Sequence, residues 1–187
     1  KAQGVLDLIT ATPDYAAITG SDLVVEAVFE NTDLKEQVTK QAEAPLYANG
    51  KEAPIFGTNT STIPISLLAT ASSHAENYIG IHFFSPVDKM MLVEIIRGEK
   101  TSDATVAKAI DFALKIKKTP VVVNDSRFFF ANRCFIPFTA EGMIMWSEGV
   151  APALIDKSGR MTGMPRGPLE MMDDGALDLL TKITSET

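Results

Sequence analysis

Short apolar runs alternate with amphipathic segments over the first two-thirds of the chain. Periodic apolar positions predict helices at about residues 32–48, 65–71 and 103–116, the first of them capped by Thr32. Apolar runs bounded by turn-forming residues predict buried strands at residues 22–29, 55–57, 78–84, 91–96 and 120–123. This alternation is typical of an α/β layer protein with mostly parallel strands.

The pattern changes near residue 125, where strand signals stop. Helical periodicity follows at about residues 129–147, 152–161 and 168–183. We therefore expect two domains, an α/β domain over residues 1–124 and an all-helical domain over residues 125–187. Phe and Met side chains crowd the first of these helices, which indicates either a packed core or a subunit contact.

Composition narrows the function classes. The 187 residues are 45% hydrophobic and 22% charged, which is ordinary for a globular protein. A net charge of -7, from 17 basic and 24 acidic residues, argues against a nucleic-acid surface. Cys134 is the single cysteine, and no Cys and His cluster has metal-ligand spacing. With no apolar run near 20 residues and no signal-peptide pattern, we expect no membrane insertion and a bacterial cytoplasmic or organelle-matrix location.

A dinucleotide-binding domain normally opens with a strand, a G-x-G-x-x-G turn and a helix. No two glycines of this chain lie two positions apart, so the motif is absent from the sequence. Either the protein is not a dinucleotide binder, or the chain begins after the first βαβ unit. The first predicted strand begins only at residue 22, which favours the second interpretation and a chain that is part of a longer protein.

The stretch HFFSPVDKMMLVEII contains the strongest candidate for chemistry. A hairpin centred near Asp88 would place His82 and Glu94 on neighbouring strands, roughly opposite each other. A carboxylate within an apolar strand is costly unless it is paired, and a paired imidazole is a candidate general base. The residues alone also permit a structural histidine or a solvated glutamate. The other histidine, His74, is expected in a surface loop.

Five ordered segments together resemble the 3-hydroxyacyl-CoA dehydrogenase family. They are DLVVEAVFEN, TNTSTIPI, HFFSPVDKMMLVEII, VVVNDSR and the stretch from NRCF to GMPRGPLE. Their sequences are most similar to the dehydrogenase part of multifunctional fatty-acid oxidation complex alpha subunits. The resemblance implies a partial Rossmann-like NAD-binding domain, without its first βαβ portion, and then a truncated helical domain, with the substrate between the two.

The resemblance also implies roles for particular residues. His82 corresponds to the family's catalytic histidine and Glu94 to its partner, while Ser61 and Asn132 correspond to residues that hold the substrate oxygens. The implied reaction is the NAD-dependent, reversible oxidation of an L-3-hydroxyacyl-CoA to the 3-ketoacyl-CoA in fatty-acid β-oxidation. The implied partners are an acyl-CoA substrate and either a second copy of the chain or a fatty-acid oxidation complex.

The cofactor residues implied by the resemblance follow the first predicted strand. The segment from Ala27 through Glu30 to Lys35 corresponds to the part that meets the nicotinamide ribose, and Ser61 lies near the nicotinamide. Without the resemblance, Glu30 and Lys35 would be interpreted as a solvated ion pair. No metal is implied.

Two positions depart from the family pattern, and two other functions stay open. Phe128 stands where the family usually has glycine after D-S-R, so we expect a strained or reshaped turn there. Ser85 replaces an asparagine of the monofunctional members, as it does in the multifunctional ones.

The alternatives to the implied dehydrogenase function are a non-catalytic member, such as a lambda-crystallin-like structural protein or an acyl-CoA-binding pseudoenzyme, and another β-hydroxyacid-type dehydrogenase.

Overall fold

The computed structural model describes residues 2–48, 50 and 54–174. The chain divides into two compact units, residues 1–127 and 128–187. The predicted fold class is confirmed, since an α/β unit precedes a helical one. The domain limits drawn at residues 124 and 125 stay a prediction. No helix in the part of the chain that the structure describes is long and apolar enough to cross a membrane.

The first unit is built on a five-stranded sheet with the order β1-β2-β3-β4-β5. The first three strands are parallel, β4 is antiparallel to β3, and β5 is parallel to β4. The strands are β1 (Leu23–Glu26), β2 (Ile55–Thr58), β3 (Tyr78–Phe83), β4 (Leu92–Arg97) and β5 (Thr119–Asn124). The prediction had extended β1 to residue 29. The strand ends earlier because the backbone N–H of Val28 turns back to donate to the Glu26 carboxylate, at 2.6 Å.

The described residues of the first unit also form four helices. They are α1 (Ala2–Leu6), α2 (Thr32–Leu46), α3 (Ile65–Leu68) and α4 (Asp103–Lys115), with 3-10 turns at Tyr15–Ile18, Ala69–Ala71 and Ala75–Asn77. The prediction that Thr32 caps α2 is wrong. Asn31 occupies that position, because its backbone is extended and its side-chain oxygen accepts the N–H of Leu34.

The apolar core of the first unit lies at the centre of the sheet. Ile79 and Ile81 of β3 and Val93 and Ile95 of β4 are fully buried, and Ala109 of α4 packs against them. Side chains alternate between the two faces of a strand, and residues paired across strands share a face. Burial of these apolar side chains therefore fixes the register of β3 against β4. The same register sets His82 and Glu94 opposite each other.

The second unit contains α5 (Ala131–Ser147), α6 (Pro152–Met161) and α7 (Pro168–Asp174). The part of the predicted last helix beyond residue 174 lies outside the described residues. Helices α5 and α7 approach closely at Gly142, where an added Cβ would lie 2.6 Å from the Cβ of Pro168. Phe128, before α5, has a φ of 67°, so the expectation of a strained turn at this residue is confirmed.

Candidate active site

The candidate residues of the first unit gather at one edge of the sheet. Because β1, β2 and β3 are parallel, their carboxyl ends lie at the same edge. Strand β4 runs the opposite way and begins there. Open α/β sheets bind their ligands outside the carboxyl ends of the strands, so this edge is where a site is expected.

His82 and Glu94 form a buried cross-strand pair at this edge. They are direct partners in the β3–β4 register, and His82 Nδ1 lies 2.8 Å from Glu94 Oε2. His82 is 4% exposed and Glu94 1% exposed. The pairing predicted from the hairpin spacing is confirmed, whereas the catalytic roles of the two residues stay predictions.

The geometry of the pair gives the two ring nitrogens different roles. A carboxylate only accepts hydrogen bonds, so the Nδ1 atom of His82 carries the proton that it donates to Glu94. In the neutral ring the basic nitrogen is then Nε2. The ring also contacts Phe84, with centroids 4.5 Å apart. The arrangement suits a general base whose protonated form is stabilised by the adjacent carboxylate.

Ser61 lies in a turn that follows β2, and the Glu30 carboxylate organises this turn. One oxygen, Glu30 Oε1, accepts hydrogen bonds from the Thr60 hydroxyl at 2.6 Å and from the N–H groups of Ser61 and Thr62 at 2.8 Å each. The Thr62 hydroxyl lies 3.0 Å from the same oxygen. Ser61 itself is half-buried. The turn backbone is therefore held by a side chain from the β1–α2 connection.

Lys35 is not a solvated residue. The interpretation of Glu30 and Lys35 as a solvated ion pair, which the residues alone suggested, is therefore wrong. It is 1% exposed, and its Nζ lies 2.9 Å from Glu26 Oε1 and 3.6 Å from Glu30 Oε2. Glu26 also accepts the Thr58 hydroxyl at 2.7 Å. A buried ammonium requires such partners, since an isolated charge is costly to bury. Helix α2 places Lys35 between the two carboxylates.

The pKa of the Glu30 carboxyl is lowered from its ordinary value. Burial opposes ionisation and is the largest single influence on this pKa. The hydrogen bond from Thr60, the charge of Lys35 and the hydrogen bonds from Thr62 act in the opposite direction and together outweigh it. Glu30 is therefore an ionised acceptor at neutral pH.

Two further residues, Asn59 and Lys118, organise this edge, and the sequence interpretation had given neither of them a role there. The Asn59 side-chain oxygen accepts the N–H of Phe83 at 2.8 Å, which joins the end of β2 to that of β3. The Lys118 ammonium binds the carbonyls of Val87 and Met90 in the hairpin turn. In the sequence, each of these residues is only a polar residue beside the end of a predicted strand. Such positions are too frequent to predict which group the side chain binds.

Asp125 follows β5 at the opposite edge of the sheet, and the sequence interpretation had given it no role either. Its carboxylate oxygens accept the N–H groups of Ile65 and Ser66, each at 2.7 Å, at the beginning of α3. It therefore holds the helix that follows the Ser61 turn, although it stands sixty positions further along the chain. Nothing in the local pattern around Asp125 indicates that distant partner.

The remaining candidate residues are placed as follows. Ala27 is exposed and directly follows β1, beside the Glu26 network. Asn132 is half-buried in the first turn of α5, within the second unit. Across residues 2–48, 50 and 54–174, no group of three or more His, Cys, Asp or Glu side chains could hold a metal ion.

Two family models match the chain. Residues 1–126 match the NAD binding domain of 3-hydroxyacyl-CoA dehydrogenase, and residues 129–187 match its C-terminal domain. The alpha subunit of the fatty acid oxidation complex from Shewanella amazonensis is 41% identical over 180 residues. The corresponding subunit from Shewanella halifaxensis is 42% identical over 180 residues. Each match covers 96% of this chain and 25% of the relative, so the chain spans a quarter of their length.

Solved structures agree with the sequence matches. The (S)-3-hydroxybutyryl-CoA dehydrogenase of Ralstonia eutropha superposes with a TM-score of 0.89 at 36% identity, over 98% of this chain and 64% of that one. The 3-hydroxybutyryl-CoA dehydrogenase of Escherichia coli superposes with a TM-score of 0.83 at 31% identity, over 93% of this chain and 36% of that one. The resemblance seen in the motifs is confirmed, and the chain belongs to the 3-hydroxyacyl-CoA dehydrogenase family.

Proposed function

We propose that the protein oxidises an L-3-hydroxyacyl-CoA to the 3-ketoacyl-CoA with NAD, reversibly, as a step of fatty-acid β-oxidation. The observation that carries the proposal is the buried contact of 2.8 Å between His82 Nδ1 and Glu94 Oε2, at the carboxyl ends of the parallel strands. Membership of the family supports the reaction type.

His82 and Glu94 would handle the proton of the reaction. In the direction of oxidation, His82 Nε2 takes the proton of the C3 hydroxyl, and the ring becomes an imidazolium. Glu94 stabilises that charge through the Nδ1 hydrogen bond and keeps the ring oriented. In the direction of reduction, the same imidazolium returns the proton to the C3 oxygen.

The residues that follow β1 and β2 fit the nicotinamide end of the cofactor. Ala27 is exposed without a bulky side chain, and the Glu30 carboxylate is 31% exposed beside the Ser61 turn. We propose that Ala27, Glu30, Lys35 and Ser61 form this part of the NAD site. NAD, when bound, accepts the hydride from C3.

Ser61 and Asn132 would hold the oxygen atoms of the substrate. Both side chains offer hydrogen-bonding groups, the serine a hydroxyl and the asparagine an amide. These hydrogen bonds would hold the C3 oxygen in a fixed position relative to His82. Such positioning increases the rate even though neither residue transfers a proton. We therefore include both residues in the proposed site.

We further propose an acyl-CoA substrate, membership of a fatty-acid oxidation complex and a bacterial cytoplasmic or organelle-matrix location. The names of the two Shewanella relatives support the complex. A homodimer is supported by apolar side chains that stay exposed on α5. Ile144 is 48% exposed and Trp146 53% exposed, and such side chains commonly mark a protein contact.

The test of the proposed function is the consumption of NADH with acetoacetyl-CoA, measured by absorbance. His82→Gln keeps a polar side chain of similar size but removes the base, so kcat should fall by about 100-fold or more. His74→Gln is the matched control, since it changes the other histidine, and it should leave kcat within about twofold. Equal rates for wild type and His82→Gln would refute the assignment of His82.

A further inference from the structure

The strongest arrangement that the proposed reaction does not use is the hydrogen bonding around Glu30 Oε1. Three consecutive residues, Thr60, Ser61 and Thr62, direct hydrogen-bond donors at this single oxygen. The contacts are between 2.6 and 3.0 Å long. Hydrogen bonds to a charged acceptor are about twice as strong as those between neutral groups, so the turn is tightly held.

The Glu30 carboxylate is the acceptor for two backbone N–H groups of this turn. The N–H groups of Ser61 and Thr62 both point at Glu30 rather than into a helix or a sheet ladder. Partly buried N–H groups need an acceptor, and leaving them without one is costly. The Thr60 hydroxyl also accepts the N–H of Ile63 at 3.0 Å, which closes the turn on the side of α3.

Lys35 in turn holds Glu30 in place. The Lys35 ammonium lies between Glu30 and Glu26, and Glu26 accepts the hydroxyl of Thr58 at the end of β2. The two carboxylates therefore bind β2 and its following turn at Thr58 and at Thr60 to Thr62, on either side of Asn59. A side chain fixed at both ends has little freedom, so the position of the turn is determined by the β1–α2 connection.

We propose that Glu30 is a positioning residue for Ser61, acting through the Thr60 to Thr62 turn, with Lys35 as the anchor of its carboxylate. The proposal rests on the proposed function, because Ser61 is the substrate-holding hydroxyl of that function. It assigns to Glu30 a role beyond contact with the cofactor ribose. Glu30 fixes the backbone from which the Ser61 hydroxyl is presented, so its removal changes the orientation of that hydroxyl.

The first experiment asks whether the turn depends on Glu30, without reference to activity. Amide hydrogen exchange of Ser61 and Thr62 is measured in wild type, Glu30→Gln and Glu36→Gln. The two N–H groups should exchange about tenfold faster in Glu30→Gln, because a neutral amide is a weaker acceptor and cannot pair with Lys35. Glu36, which pairs with Lys40 on the surface of α2, is the matched control and should leave their exchange unchanged. Unchanged exchange in Glu30→Gln would overturn the proposal.

The second experiment asks whether Glu30 acts through Ser61. The parameters kcat and KM for NADH are measured for Glu30→Gln, Ser61→Ala and the double variant. Glu30→Gln should lower kcat about tenfold in the wild-type background and by less than about twofold in the Ser61→Ala background, because the hydroxyl to be positioned is then absent. An equal loss in both backgrounds, or a change confined to KM for NADH, would overturn the proposal in favour of direct cofactor binding.

The two experiments separate this proposal from the proposed function. If the dehydrogenase activity is absent from the wild-type protein, the proposed function fails, and hydrogen exchange still decides whether Glu30 holds the turn. If Ser61→Ala retains full kcat, the assignment of Ser61 fails, and with it the positioning role of Glu30. If exchange accelerates and the kinetic effects depend on Ser61, both stand.

Discussion

The β3–β4 hairpin and the β1–α2 connection each bury charged side chains at the same edge of the sheet, but they satisfy them differently. In the hairpin, His82 Nδ1 lies 2.8 Å from Glu94 Oε2. In the connection, the Lys35 ammonium faces Glu26, Glu30 and the carbonyl of Val28. An imidazole ring can donate and accept hydrogen bonds, whereas a lysine ammonium only donates them.

This difference separates a pair suited to chemistry from one suited to positioning. The His82 ring donates through Nδ1 to Glu94 and offers Nε2 to a reacting group, which suits proton transfer. The Glu26–Lys35 pair cannot lose either charge without leaving the other one buried. Substitutions in the hairpin should therefore lower the rate more than the stability, and substitutions in the connection should lower the stability more than the rate.

The largest expected effect is on stability, at Lys35. Lys35→Met keeps the length of the side chain but leaves the buried Glu26 carboxylate without its cation. We expect a loss of about 3–5 kcal/mol in the free energy of unfolding, measured by urea denaturation. Lys40→Met, in the same helix but 63% exposed, should change it by less than about 1 kcal/mol. Equal losses for the two variants would show that the pair is not the support of the connection.

The next largest expected effect is on kcat, and it tests the hairpin pair at Glu94. Glu94→Gln cannot stabilise an imidazolium as a carboxylate does, so kcat should fall about 10- to 100-fold. Combining it with His82→Gln should give little further loss beyond His82→Gln alone, because the two residues act as one unit. Its loss of unfolding free energy should be smaller than that of Lys35→Met. Multiplicative losses of kcat would contradict the idea of a coupled pair.

The hairpin pair could be predicted from the sequence because register is local. His82 and Glu94 lie twelve positions apart in two adjacent strands, so the turn between them fixes which residues face each other. The strained turn at Phe128 was predictable from the family resemblance, which has glycine at this position, and the φ of 67° agrees with that prediction.

The β1–α2 connection could not be predicted in the same way. The contacts of Glu30 with residues 60–62 join segments about thirty positions apart, and no periodicity determines how two connections meet. The order Glu-Asn-Thr-Asp-Leu-Lys is equally typical of a solvated helix start, so the burial of Lys35 became visible only in the structure. For Glu30 and Lys35 the family resemblance predicted importance, but not these partners.

A smaller effect is expected at Asn59, which joins the two regions. Asn59→Ala removes the oxygen that accepts the N–H of Phe83, the residue after His82. The unfolding free energy should fall by about 1–2 kcal/mol, and the amide of Phe83 should exchange faster. Asn124→Ala, at an exposed position at the end of β5, should change the free energy by less than about 0.5 kcal/mol. An unchanged exchange rate at Phe83 would mean that the two regions are held independently.

The smallest effect is a pH dependence at Glu30. Its carboxyl pKa is lowered in the folded chain, because hydrogen bonds from Thr60 and Thr62 and the charge of Lys35 outweigh burial. A carboxyl with a lowered folded pKa contributes stability that is complete above its unfolded pKa of about 4.5 and is lost as pH falls through the folded pKa. The difference in unfolding free energy between wild type and Glu30→Gln should therefore be largest at neutral pH and should narrow below about pH 4.5. Urea denaturation across this range measures that difference, and a carbon-13 titration of the Glu30 carboxyl measures the pKa directly. A difference that stays constant down to the folded pKa would mean that the charge of Glu30 contributes nothing to the stability of the connection.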